Sequence, residues 1–94
     1  CNVCLLKISG FSNDLTEEVA NKLFDFLRPL CKRQNWELIG PYPSLVSKIG
    51  KKFRWQILLY GSDNTQIPIP NDKKIWDLIP KNVFLVIDIN PVEI

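Results

Sequence analysis

The chain has 94 residues, 46% hydrophobic and 23% charged, the balance of one ordinary folded domain rather than a disordered or repetitive polymer. A net charge of +2 is too small for the whole surface to attract nucleic acid, so any such role must be local. With three cysteines and no histidine, the chain cannot complete a four-ligand Cys/His zinc site alone, and its longest apolar run falls far short of the ~20 residues of a membrane span.

The N-terminus opens at Cys1, with no methionine anywhere, almost directly into a strand-like run from Val3 to Ser9 that Gly10 ends. This start reads as a domain junction within a larger protein. Cys1 and Cys4 have C-x-x-C spacing, but Cys4 sits inside the strand pattern, where a redox pair would want a helix start. Cys4 and Cys31 are therefore expected to be small buried side chains and Cys1 a frayed end. The lack of obligatory disulfides and of a visible signal peptide points to a reducing, cytoplasmic setting.

Asn13, Asp14 and Thr16 offer helix caps, with Glu17 and Glu18 in the first turn. Apolar residues then recur at Val19, Leu23, Phe26, Leu27 and Leu30, predicting a helix from Thr16 to about Arg33. Pro29 is expected to kink it or to end its regular part near Leu27. Trp36 to Ile39 predicts a short strand stopped by Gly40-Pro41-Tyr42-Pro43, and Ser44 to Lys52 reads as a lysine-rich loop. Phe53 to Tyr60 carries the strongest strand pattern. A polar, proline-punctuated connection follows, then a short helix over Asp72 to Ile79 and a last strand over Val83 to Ile89.

The predicted order is β-α-β-β-α-β in a single domain spanning 1–94. Its simplest packing is an α+β ferredoxin-like sandwich: a four-stranded, mainly antiparallel sheet with two helices on one face. If Phe53, Trp55, Ile57 and Leu59 point toward the helices, Arg54, Gln56, Leu58 and Tyr60 point away. On the last strand, Phe84, Val86 and Asp88 share one side. The free face is thus partly apolar, and Leu58, Tyr60, Phe84 and Val86 form a candidate docking face.

Lys48, Lys51, Lys52 and Arg54 cluster within seven residues, interleaved with Phe53 and Trp55. Such cations neutralise phosphates while neighbouring aromatics can stack on bases, so these four are the candidate DNA-contacting residues. Catalytic patterns are missing. There is no histidine, phosphate-binding G-x-x-x-x-G-K-[ST] loop or G-x-S-x-G elbow, so no catalytic, cofactor-binding or metal-ligating residue is assigned. Asp88 and Asn90, just before Pro91, read as turn chemistry rather than a metal site.

Three blocks carry a family resemblance. Lys52-Phe53-Arg54-Trp55-Gln56-Ile57-Leu58-Leu59 resembles the strand near the C-terminus of the PriA family of replication-restart helicases. Val86-Ile87-Asp88-Ile89-Asn90-Pro91 is similar to that family's I-D-V-D-P ending, and Ile39-Gly40-Pro41-Tyr42-Pro43 to its G-P-x-P segment. The family-pattern residues are Arg54, Trp55, Gln56, Asp88 and Pro91, with Asn90 standing where a second aspartate is more usual. The resemblance implies the C-terminal domain of an ATP-dependent 3′-to-5′ helicase that assembles the primosome at stalled forks and D-loops. It places the ATP and magnesium site and the zinc-binding cysteines upstream, and no cofactor in this segment.

The partners so implied are forked or single-stranded DNA bound without sequence preference, the helicase core of the same chain, and other primosome proteins. The setting is the cytoplasmic nucleoid, with no membrane. The alternative is a protein-interaction module whose basic loop meets an acidic partner, such as the tail of single-stranded-DNA-binding protein, without touching DNA. A small-molecule-sensing domain is a third reading, but no ligand-specific motif supports it.

Overall fold

A computed structural model of the chain describes residues 2–49, 52–61, 68–69 and 74–90, with the backbone alone for 45–49. Four strands, β1 (Asn2–Gly10), β2 (Glu37–Ile49), β3 (Lys52–Gly61) and β4 (Val83–Ile89), form one sheet in the order β2-β3-β1-β4. Every neighbouring pair is antiparallel. One α-helix, α1 (Asn13–Gln34), joins β1 to β2 and packs on one face of the sheet. Among the described residues the fold is therefore α+β, with a four-stranded antiparallel sheet and one α-helix.

Alternation along the strands builds the core. Cys4, Leu6 and Ile8 of β1, Ile57 and Leu59 of β3, and Val83 and Leu85 of β4 face α1, where Val19, Ala20, Leu23, Leu27 and Cys31 meet them. Removing this apolar surface from water is the main favourable term in the fold. The expected facing of β3 holds, since Ile57 and Leu59 are fully buried and Trp55 packs at the edge of the same cluster.

The helix differs from expectation at its start and at Pro29. Its N-cap is Ser12, in extended conformation, whose Oγ accepts the Leu15 N–H at 3.2 Å; of the candidate caps, Asn13 and Asp14 lie in the first turn. Thr16 is instead buried, its hydroxyl donating to the Ser12 carbonyl at 2.6 Å. The helix runs through Pro29 to Gln34 rather than ending near Leu27. Pro29 is exposed, so the Asp25 carbonyl deprived of its N–H partner faces the solvent side. A Schellman cap closes the helix: Asn35, at φ 59°, donates to the Lys32 carbonyl, and Trp36 donates to that of Cys31.

The second strand is a larger correction. It continues through Gly40-Pro41-Tyr42-Pro43 and through the segment read as a loop, ending at Ile49. Prolines are tolerated because β2 is an edge strand and because its register with β3 shifts between Ile39 and Tyr42 and again between Pro43 and Lys48. Gly40, at φ 122° and before a cis Pro41, makes the first shift possible, for a Cβ there would sit 2.9 Å from the Gln56 carbonyl oxygen. Ile49 opposite Lys52 closes β2 and β3 as a hairpin.

The expected second helix is also corrected. Among the described residues that segment holds a 3-10 helix, Trp76–Leu78, while 72 and 73 lie outside them. Only Ile75 reaches the core fully, and Trp76 is exposed. So short a segment buries too little to offset the cost of a helix nucleus. Ile79 turns extended before Pro80, the conformation favoured for a residue preceding proline.

Candidate nucleic-acid interface

Antiparallel register places cross-strand partners on the same face, so the composition of the face opposite α1 follows directly. At one end lie Tyr60 and Val3. Next comes an apolar row, Ile39, Leu58 and Leu5, that reaches Asp88 on β4. Leu5 is fully buried although it lies outside the helix-side core. The following row is Gln56, Lys7 and Val86, and the last is Arg54, Ser9 and Phe84. Lys52 lies beyond it, where β1 ends. Among the described residues, both helical elements lie on the other face.

The proposed docking residues thus share one face but are not alike. Leu58 is half-buried beside Leu5, whereas Tyr60, Phe84 and Val86 are exposed. Phe84 sits at the opposite end from Tyr60, next to the basic residues. Lys52 lies over its ring, with Nζ 4.3 Å from the centroid, and is 5.7 Å from the centroid of Phe11. These are cation–π distances.

The basic cluster is a sheet end rather than a loop. Lys52 and Arg54 begin β3 on the open face, and the backbone of Lys48 pairs with Phe53. The Lys48 side chain and all of Lys51 lie outside the described residues. The turn that enters β4, where Val83 N–H donates to the Pro80 carbonyl, brings exposed Lys81 to the same end. Among the described residues Arg54 has no carboxylate partner. Asp88, four residues along β4 from Phe84, is taken by Lys7 at 3.6 Å.

The two aromatics picked out by sequence lie on the helix side of β3. Trp55 faces the helix layer, its Nε1 donating to Asn13 Oδ1 at 3.0 Å, and Phe53 lies on that side too, opposite Gly10. Phe84 and Phe11 are rings that sequence reasoning did not pair with the cations, and both lie within cation–π distance of Lys52. Phe84 was legible only as part of an apolar face, and Phe11 carried no periodic signal at all. Lys81 was hidden in the segment before the last strand.

The remaining residues of the family pattern have structural duties. Gln56 Nε2 reaches Ser44 Oγ at a long 3.5 Å. Asn90, at φ 52°, donates its N–H to the Val3 carbonyl and accepts the Val3 N–H through Oδ1, pinning the end of β4 to β1. That is the turn role read from sequence. Pro91 lies outside the described residues, as does Cys1.

Cys4 and Cys31 are free and buried. Burial pushes both thiols up to about 11, with the Asp88 charge and the neighbouring Cys31 adding to the effect at Cys4. They are therefore poor nucleophiles and poor ligands near neutrality. Among the described residues, no group of three or more His, Cys, Asp or Glu side chains could hold a metal ion. No helix among them is long and apolar enough to cross a membrane.

No protein-family model matches the chain. Among curated proteins, it is similar to the replication restart protein PriA of Synechocystis, at 27% identity over 81 residues that make up 83% of this chain. Those residues span only 10% of that relative's length, so the likeness is to a small part of a much larger protein.

Proposed function

We propose that this chain is the DNA-binding and docking C-terminal domain of a PriA-type replication-restart helicase. The observation that carries the reading is the sheet face left uncovered by the described helical elements, whose hairpin end presents Lys52 and Arg54 with no carboxylate paired to either among the described residues. Cations so placed follow a phosphate backbone without reading base sequence. The similarity to PriA supports a link to replication restart, and the helicase activity, with its ATP and metal sites, would belong to the parent protein. In this reading the fold is a ferredoxin-like sandwich whose second helix has shrunk to the Trp76–Leu78 turn.

The apolar residues of the same face, Leu58, Tyr60 and Val86, would seat the domain on the helicase core. Weak electrostatic binding then gains from tethering, because the parent's other DNA contacts raise the effective concentration of DNA at this site. Lys48 and Lys51, the other two cations of the run in the sequence, would extend the phosphate track.

Fluorescence-anisotropy titration with single-stranded, duplex and forked DNA at several salt concentrations tests the reading. Salt-sensitive binding that Lys52→Ala with Arg54→Ala weakens by roughly tenfold or more, with circular dichroism unchanged, is expected. Absence of binding at low salt, together with capture of an acidic peptide, would transfer the basic end to protein recognition.

A further inference from the structure

The hairpin end of the open face has a feature that phosphate binding does not require. Phe84 and Phe11 are 43% and 57% exposed, and both rings lie within cation–π distance of one ammonium group, that of Lys52. In the adjacent row, Arg54 and Phe84 flank Ser9 from either side. Neighbouring strands are ~4.8 Å apart, so the long side chains of Arg54 and Phe84 rise about 10 Å apart over a serine floor. That leaves a shallow slot with a cation on one wall and an aromatic ring on the other.

Charge and shape together select the occupant. The slot is electropositive, because among the described residues Asp88 on this face is already held by Lys7, and Asp14 belongs to the helix layer behind the sheet. An acidic peptide would need the cations but has no use for two exposed rings. A duplex keeps its bases stacked on one another and offers its phosphates. Only an unpaired strand presents a negative backbone and free flat faces at once.

We infer that Phe84, with Phe11 beside it, is a stacking platform for an unpaired base of single-stranded DNA, and that Lys52 and Arg54 hold the phosphates flanking that base. The inference rests on the DNA-binding reading above and narrows it to unpaired strands. Lys52 covers the Phe84 ring in the free protein. A phosphate draws its ammonium group aside, and the base takes the vacated ring face. Phe11, where the chain leaves β1, supplies a second apolar surface at the rim.

The test compares an oligothymidylate of about 15 nucleotides with an abasic strand of equal length and charge, by anisotropy at low salt. The base-bearing strand is expected to bind ~5–100-fold more tightly. Phe84→Leu, which keeps an apolar cover on the sheet but removes the flat ring, should erase most of that difference, and Phe84→Tyr should retain it. Equal, salt-sensitive affinity for both strands would overturn the stacking site while leaving phosphate binding in place. No binding of either strand, with polyglutamate bound instead, would overturn both readings.

Discussion

Cys4 and Cys31 lie in the layer between sheet and helix, where a thiolate has no solvent and no cation to stabilise it. Their thiols ionise near 9 when exposed and near 11 in the folded chain. Between these values the unfolded chain releases protons that the folded chain keeps. The resulting stabilisation is whole below about pH 9 and is lost as pH rises through about 11. Urea midpoints should therefore fall between pH 8.5 and 10.5, and Cys31→Ala should show a shallower fall despite its lower midpoint at pH 8.5. Parallel falls in the two proteins would assign the alkaline loss to other groups. A single buried thiol thus reports on packing in the middle of the molecule. Type and spacing foretold the burial of both thiols; what they did not contain was the Asp88 charge on β4, which adds to burial at Cys4 and not at Cys31.

Helix α1 carries a proline in its interior, and the rest of the helix shows why it survives. Leu23, Leu27 and Cys31 straddle Pro29 in sequence and all three are buried against the sheet. Their packing fixes the path of the chain on both sides of the missing hydrogen bond. Pro29→Ala restores an N–H for the Asp25 carbonyl and removes the ring from the turn before it. It should stabilise the protein by ~1–3 kcal/mol, seen as a higher urea midpoint with an unchanged slope. An unchanged or lower midpoint would mean that Pro29 makes a native contact that offsets its poor helix propensity.

The same competition between local signal and tertiary context decided which elements could be read in advance. β3 and β4 alternate closely enough that the facing of their residues was recoverable, while β1 buries Cys4, Leu5 and Leu6 in succession. β2 was not, because Pro41 and Pro43 say "stop" to any local rule, while an edge position and two register shifts remove the conflict. The Gly50-Lys51 pair between Ile49 and Lys52 was a usable hairpin signal in the sequence. Ser12, Asn13 and Asp14 are equally good caps by type. The buried Thr16 hydroxyl on the Ser12 carbonyl accompanies the choice, and burial is not a local property. At the candidate site the cations were legible as a run in sequence. Phe11 was not, since it meets Lys52 only when the end of β1 pairs with the start of β3.

Seen across the sheet, charge is arranged along the strands. The hairpin end of the face opposite α1 carries Lys52 and Arg54, with exposed Lys81 in the turn that enters β4 at the same end of the sheet, while Glu37 and Asp88 lie toward the other end. A net charge of +2 hides this separation, because the total averages two ends that a strand would meet in turn. A nucleic acid crossing the basic end feels the local field, which falls off over a Debye length of ~8 Å at physiological salt. That distance is shorter than the ~13 Å that four residues of β4 put between Phe84 and Asp88. Glu37 and Asp88, the acids of this face among the described residues, therefore do not cancel the cations at the hairpin end. Each phosphate neutralised on a single strand contributes about −0.7 to the slope of log K against log salt. Replacing Lys52, Arg54 and Lys81 together by alanine should flatten that slope by about 2, whatever the base sequence. A slope that stays steep in the triple variant would place the bound strand elsewhere, on the basic last turn of α1 at Lys32 and Arg33. A slope that flattens by the full amount, with stacking lost separately in Phe84→Leu, would divide one small face into a part that attracts any phosphate chain and a part that accepts only an unpaired one.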